Sequence, residues 1–429
     1  MLKSVLFPFG LLLLCTTTNN AALVLRTTGN TPKSKDKVLE MDNSDYYSFA
    51  QFILDFDKTY ATEHDYEHRA TIFHQNQELI LKHNLQRSQG EHTLGPNPLM
   101  DLTVEELPLG YAKAPGAVSL SQRTQRNLQG HHKMELPFEI DDVSTLPSSV
   151  NWQGVSTPIK DQGRCGSCWA FASTAALESH ISLQTNTLYS LSMQEIVSCA
   201  PNPMDCGGNG GCTGATASVA YEYVATAGIV QEWQFGYGSY DGAAIECTLE
   251  NRTTKLPISG YGGPDPPGIK GAVATIDGYA ETPLNNYKVM MNAVAKAGPV
   301  AVAVAASNWH LYHGGVFEDH SRNSQATNIN HLVVLQGYGT DEETGRDYWL
   351  VRNSWGPRWG ESGFIRLLRV DPDTLLHPND DCGLDITPTQ GDACSKDEDG
   401  NDVIPPAEKV CGTSGVYYSG TIPIGGRLV

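Results

Sequence analysis

Gln162-Gly163-Arg164-Cys165-Gly166-Ser167-Cys168-Trp169 runs on into AFASTAALESHIS, residues 170–182, a stretch whose apolar residues recur nearly all round a helix. Such a helix lies inside a fold rather than on its surface. Cys168 stands at its start, where backbone N–H groups favour a thiolate and lower its pKa. A thiolate that attacks an amide needs a cation beside it and a proton donor for the leaving amine, and histidine supplies both near neutral pH. Among the thirteen histidines, His331 opens an apolar strand-like run, His331 to Leu335, after Ile329-Asn330. Asn353 follows the run Tyr348 to Arg352, where its amide oxygen can accept a ring proton, and Trp355 can roof that bond. The Cys168 N–H and the Gln162 side-chain amide are the natural donors for a developing oxyanion. Taken alone, each residue has a plainer reading: a structural histidine, a cap or turn asparagine, or a Cys165/Cys168 pair serving as a dithiol or as ordinary disulfide partners.

Together the segments resemble the papain-like cysteine proteases. QGRCGSCWAF is similar to the family's nucleophile segment, NHLVVLQGYG to its histidine segment and YWLVRNSWGPRWGESGF to its asparagine segment. The resemblance implies an α+β, two-lobed fold, with a helical left lobe, a β-barrel-like right lobe and a cleft between them. It also implies peptide hydrolysis through a thioester acyl-enzyme. Cys168 would be the nucleophile and His331 the general acid–base, with Asn353 orienting the ring, Trp355 shielding it and Gln162 completing the oxyanion hole. No cofactor and no metal is expected. The same matching implies disulfides Cys165–Cys212 and Cys199–Cys247. It lines an S2 pocket with Thr216, Ala217, Ala303, Ile329 and Thr387, with Ala215 where the family keeps a substrate-pairing glycine. No acid is expected at the base of that pocket, so apolar P2 residues are favoured over arginine.

Several features depart from the family pattern. Cys168 and His331 are 163 residues apart, beyond the spacing of about 130–150. Insertions must separate them, and the Pro/Gly-rich 256–270 is a candidate. The right-lobe cysteine usually found upstream of the histidine is missing, so Cys382 needs another mate.

Upstream, Phe49, Phe52, Ile53 and Phe56 repeat at helical spacing. Asp65, Arg69, Phe73, Asn76, Ile80 and Asn84 follow at steps of four, four, three, four and four, which places them on one helix face. Those six resemble the ERFNIN propeptide motif of the cathepsin L-like branch, and Gly95, Asn97, Leu99 and Asp101 resemble its GxNxFxD motif. The implied propeptide lies reversed along the cleft as an intramolecular inhibitor. Seven histidines precede residue 146. His64, His68 and His74, within or beside the motif helix, are expected to charge on acidification and loosen the propeptide. Residues 107–147 read as an extended, protease-accessible connector, with self-cleavage expected near 130–146.

Residues 1–15, MLKSVLFPFGLLLLC, join a positive start to an apolar run shorter than the roughly 20 residues that span a bilayer. They read as a signal peptide, and a secretory route permits disulfides. Of ten cysteines, Cys15 leaves with that peptide, and an odd number remains, so one thiol is unpaired. Asn251 begins the sequon Asn251-Arg252-Thr253, a candidate glycosylation site. A net charge of −19 disfavours nucleic acid and anionic membrane as partners. The expected organisation is a signal peptide (1–22), propeptide (23–145), peptidase domain (146–388) and a Cys-containing C-terminal extension (389–429). The expected protein is monomeric, acts on peptides or proteins, and travels to a lysosome, vacuole or the extracellular space. The alternatives are a thiol–disulfide oxidoreductase using Cys165/Cys168 and a catalytically weak binding homologue.

Overall fold

The computed structural model describes residues 47–110, 131–249, 271–319, 324–377, 381–388 and 406–429. The expected signal peptide, Asn251, the 256–270 insertion and Cys394 lie outside the described residues. The chain forms two compact units, divided after Tyr60. In the first, helix α1 (Phe49–Asp55) is capped by the Ser48 side chain, which accepts from the Gln51 amide, and Phe49 stacks on Phe52 and Tyr60.

The second unit holds the remaining elements. These begin with α2 (Glu63–Gln86), β1 (Thr93–Leu94), β2 (Val150–Asn151), α3 (Cys168–Thr185), α4 (Met193–Cys199) and α5 (Ala217–Ala227). Next come β3 (Ala274–Thr275), β4 (Gly278–Glu281), α6 (Tyr287–Asn292), β5 (Val300–Val304), β6 (Tyr312–Gly314), β7 (Val316–Phe317) and α7 (Ser324–Thr327). The chain finishes with β8 (His331–Thr340), β9 (Asp347–Arg352), β10 (Phe364–Leu368), β11 (Cys382–Asp385), β12 (Glu408–Cys411), β13 (Gly420–Ile424) and β14 (Arg427–Leu428).

The main sheet runs β4-β13-β5-β8-β9-β10-β7, with β2 paired to β8. Its period-two side chains serve two cores. From β5 and β8, Ala301, Ala303, Leu332 and Val334 face a core shared with α3, α4 and α5. Val300, Val302, Val304, Val333 and Leu335 face a second core rich in tryptophan and tyrosine. Small residues at 301 and 303 let α3 approach the sheet, and every α3 residue from Cys168 to Ser182 is buried. Fully burying a side chain such as Leu177 or Ile181 contributes about 1.5–3 kcal/mol. This packing sets the starts of α3 and β8 side by side.

The C-terminal boundary expected at residue 388 is corrected. Residues 420–424 form β13, inserted between β4 and β5, with Thr421 opposite Glu281 on one side and Ala301 on the other. The end of the chain therefore completes the central sheet. Cys382 finds its mate in Cys411, across the β11–β12 hairpin. For residues 131–147 the connector reading is also corrected, because Lys133 bridges to Tyr279 at the edge of β4 and Leu136, Phe138, Val143 and Leu146 pack on the aromatic core.

Candidate active site

Cys168 takes the first position of α3, and its sulfur accepts from the Leu332 amide at 3.4 Å, one residue past His331. The His331 Nε2–H donates to Asn353 Oδ1 at 2.8 Å, and the same oxygen accepts the Ser354 amide at 2.8 Å. Two acceptor bonds fix the Asn353 side chain, and through it the tautomer of the ring. His331 Nδ1 is buried and has no hydrogen-bond partner among the described residues, which leaves its lone pair available for a thiol proton. Trp355 stacks on the ring at 5.0 Å between centroids, and Trp309 meets it edge-on at 6.5 Å. Ser354 Oγ donates to Gln162 Oε1 at 2.5 Å, which turns the Gln162 NH₂ toward the cleft. One strand end, one helix start and the loop after β9 thus converge on a sulfur, an imidazole and an amide donor, a set suited to acyl transfer.

Cys165 is bonded to Cys212, and Cys199 to Cys247. The dithiol alternative fails here, because Cys165 is committed elsewhere and Cys168 is a free thiol.

Residues 146–389 match the model of the papain family cysteine proteases, and residues 49–107 match the cathepsin propeptide inhibitor domain. The chain belongs to the papain family of cysteine proteases. It is 33% identical to cathepsin S of Bos taurus over 73% of this chain and 85% of that protein. It is 35% identical to the oryzain beta chain of Oryza sativa subsp. japonica, over 71% of this chain but only 58% of that relative's length. Among solved structures, the digestive procathepsin L 3 of Tenebrio molitor larval midgut aligns with a TM-score of 0.61 and 27% identity, covering 87% of this chain and 97% of that one.

In this papain-family chain the propeptide lies in the cleft. Gln162 Nε2 donates to the Pro108 carbonyl at 2.7 Å, so the expected oxyanion donor already holds a peptide oxygen. Two residues on, Gly110 sits against Cys168. A methyl group there would strike Cys168 Sγ and come within 2.7 Å of the Gly166 carbonyl. The Gly110 carbonyl in turn abuts Gly214, at φ +100°, where a side chain would collide with it. Gly214, the neighbour of Ala215, is thus approached closely by a peptide backbone.

The expectation of a thiolate does not hold for this closed state. Burial pushes the Cys168 thiol up to about 12, against the backbone amides of Leu332, Gly110 and the helix start, which pull it down. Burial likewise pushes His331 down to about 4, and its bond to Asn353 opposes this only in part. Both groups are therefore neutral across the physiological range while the cover is in place.

The motif face of α2 clamps the chain that returns toward the cleft. Arg69 forks onto Glu106 at 2.7 and 2.8 Å and reaches the Asp101 carbonyl at 2.9 Å. Asn76 donates to the Met100 and Leu102 carbonyls, and Asn84 exchanges two bonds with the Leu94 backbone. Phe73 and Ile80 are buried between these amides, and the Asp65 amide binds the Thr62 cap. The clamped chain adds β1 to β6, with Thr93 opposite Gly314, and Asn97 donates to the His310 carbonyl at 2.7 Å.

His64, His68 and His74 are exposed on α2, and His68 lies near enough to Glu106 to help lower its pKa. His92, by contrast, is buried against Phe317 at 4.6 Å and against His83 at 4.6 Å between ring centroids. Burial first, then the nearby His83, lowers its pKa to about 4; Arg346 adds to this, while Glu91 and Asp319 oppose it.

Of the expected S2 residues, Ala215, Ala217, Ala303 and Ile329 share one apolar cluster, joined by Val410 and Tyr418. Thr216 spends its hydroxyl as the α5 cap. The Thr387 amide donates to Asp385 at 2.7 Å. Buried Asp385 also accepts the Ile329 amide at 3.1 Å. Burial raises the pKa of this carboxyl. Asp385, Gly110, Gly214 and His92 escaped sequence matching; only the glycine next to Leu109 and the lone His92 before β1 left any signal.

Proposed function

We propose that the protein is the zymogen of a cysteine endopeptidase. Cys168 sulfur attacks the scissile carbonyl carbon as its proton passes to His331, and the oxyanion is held by the Cys168 N–H and Gln162. The C–N bond then breaks, His331 returns the proton to the leaving amine, and a thioester remains. Water attacks the thioester with His331 as base, releasing the acid and regenerating the thiol. Asn353 keeps the imidazole oriented throughout and Trp355 keeps water from that bond.

The observation that carries this reading is the peptide already in the cleft, with Pro108 oxygen on Gln162 and Gly110 against Cys168 sulfur. Peptides or proteins are the substrates. Leu, Val or Phe at P2 fits the apolar cluster, because the oxygens of Asp385 are engaged by backbone amides. A secretory route to a lysosome, vacuole or the extracellular space fits the cysteine bonding. The enzyme acts as a monomer, and acidification releases the propeptide.

Cys168→Ala and His331→Ala in the full chain test the mechanism. Each is expected to lower kcat of the acid-activated protein by about 10⁶-fold, as when a comparable nucleophile or base is removed. Peptidase activity that survives either change rejects the assignment.

A further inference from the structure

Residues 131–145 precede the segment that matches the peptidase family and read as connector, yet they are bound along their length. Tyr279 on β4 donates its amide to the His132 carbonyl at 3.0 Å and accepts from the Met134 amide at 2.7 Å. These bonds place a parallel strand on the open edge of the main sheet, since β4 is its terminal strand. An unpaired sheet edge invites association with other chains, and here the edge is covered. The covering backbone lies so close that any side chain at Gly278 would strike the His132 carbonyl.

The second feature is a buried acid. Glu222 on α5 is 3% exposed, and the hydrogen bonds its carboxylate makes among the described residues both go to His132: the backbone amide at 2.9 Å and Nδ1 at 2.8 Å. Lys133 pairs with Glu281. Farther along, Asp141 exchanges two backbone bonds with the buried Asn292 side chain, and Lys296 reaches both the Glu139 carbonyl and the Asp141 carboxylate. Cutting the chain between His132 and Leu146 and losing the upstream piece would strand the Glu222 carboxylate in the interior and reopen the β4 edge.

We propose that residues 132–146 are a permanent strap of the peptidase, retained when the propeptide is removed and locked by the His132–Glu222 clamp. This rests on the zymogen reading above. It moves the amino end of the active enzyme upstream of His132, outside the family-matched segment that begins at residue 146.

Acid-activating the full chain, labelling it with a thiol-reactive epoxide and measuring intact mass tests both claims separately. The expected species carries one label on Cys168, lacks α2 and still contains His132. A labelled chain that starts downstream of His132, or one that keeps the whole propeptide, overturns the strap. A chain that starts upstream of His132 but takes no label breaks the endopeptidase reading and leaves the strap standing. His132→Ala in the matured enzyme is expected to lower Tm by about 5–10 °C. The double variant H132A/E222Q, which removes the stranded charge, is expected to recover at least half of that loss. It also serves if H132A alone does not fold. An unchanged Tm in H132A, or no recovery in the double variant, overturns the clamp.

Discussion

Two extended segments lie on the peptidase ahead of its family-matched region, and they are held in opposite ways. The cover, residues 92–110, reaches the cleft through backbone contacts to β6, Gln162 and Gly214, with His92 buried near its start. The strap, residues 132–146, is tied by charged and amide side chains to α5, β4 and α6. Acid acts on them differently. Protonating His92 charges a ring packed beside His83 and Arg346, whereas His132 is bonded to the Glu222 carboxylate through both its amide and its ring. A segment meant to leave is held by a group that loses its place on charging, and a segment meant to stay by a group that is already paired.

The largest expected effect comes from pH. Docked His92 titrates near 4 and the released ring near its usual value of about 6.5. The depressed value means that the docked state binds the proton less tightly. Its contribution is therefore complete above about pH 6.5 and is lost as pH falls toward 4, by roughly 3 kcal/mol in all. Labelling of Cys168 in the zymogen should rise on the order of 100-fold between pH 7 and pH 4. His92→Phe should flatten that rise; an unaltered profile would remove His92 from the comparison.

Next comes Gly110. Gly110→Ala places a methyl against Cys168 sulfur, and overpacking of this kind costs about 1–3 kcal/mol. Zymogen labelling at pH 7 should accelerate about 10- to 100-fold, measured as the pseudo-first-order rate with the same epoxide. Asn76→Ala deletes two bonds to the returning chain. With net hydrogen bonds worth about 1 kcal/mol each, labelling should rise roughly 5- to 30-fold, whereas the Tm of the matured enzyme stays unchanged. The smallest effect belongs to the strap's surface pair: Lys133→Ala should alter the Tm of matured enzyme by less than about 2 °C, since exposed pairs contribute about 0–1 kcal/mol. A larger drop would shift the weight of the strap from Glu222 to its rim.

Much of this was legible in the residues because it is local. The all-round apolar pattern marks α3 as buried, the alternating Val300–Val304 and His331–Leu335 runs mark sheet strands, and the spacing from Asp65 to Asn84 marks one helix face. The misses are non-local. The five residues of β13 include Pro423 and follow a polar stretch, so they read as tail; their partners on β4 and β5 lie more than a hundred residues upstream. The mate of Cys382 was equally hidden, because the β11–β12 hairpin alone brings Cys411 back to it.

Residue types and their order determined by themselves which chemistry the chain can perform: a cysteine at a helix start, a histidine at a strand start, an asparagine at a strand end and a glutamine ahead of them. Tertiary structure alone decided whether that chemistry is switched on. Ionisation of sulfur and imidazole is set by how deeply they are buried, and that is a property of the folded chain around Cys168 and His331 rather than of the residues themselves.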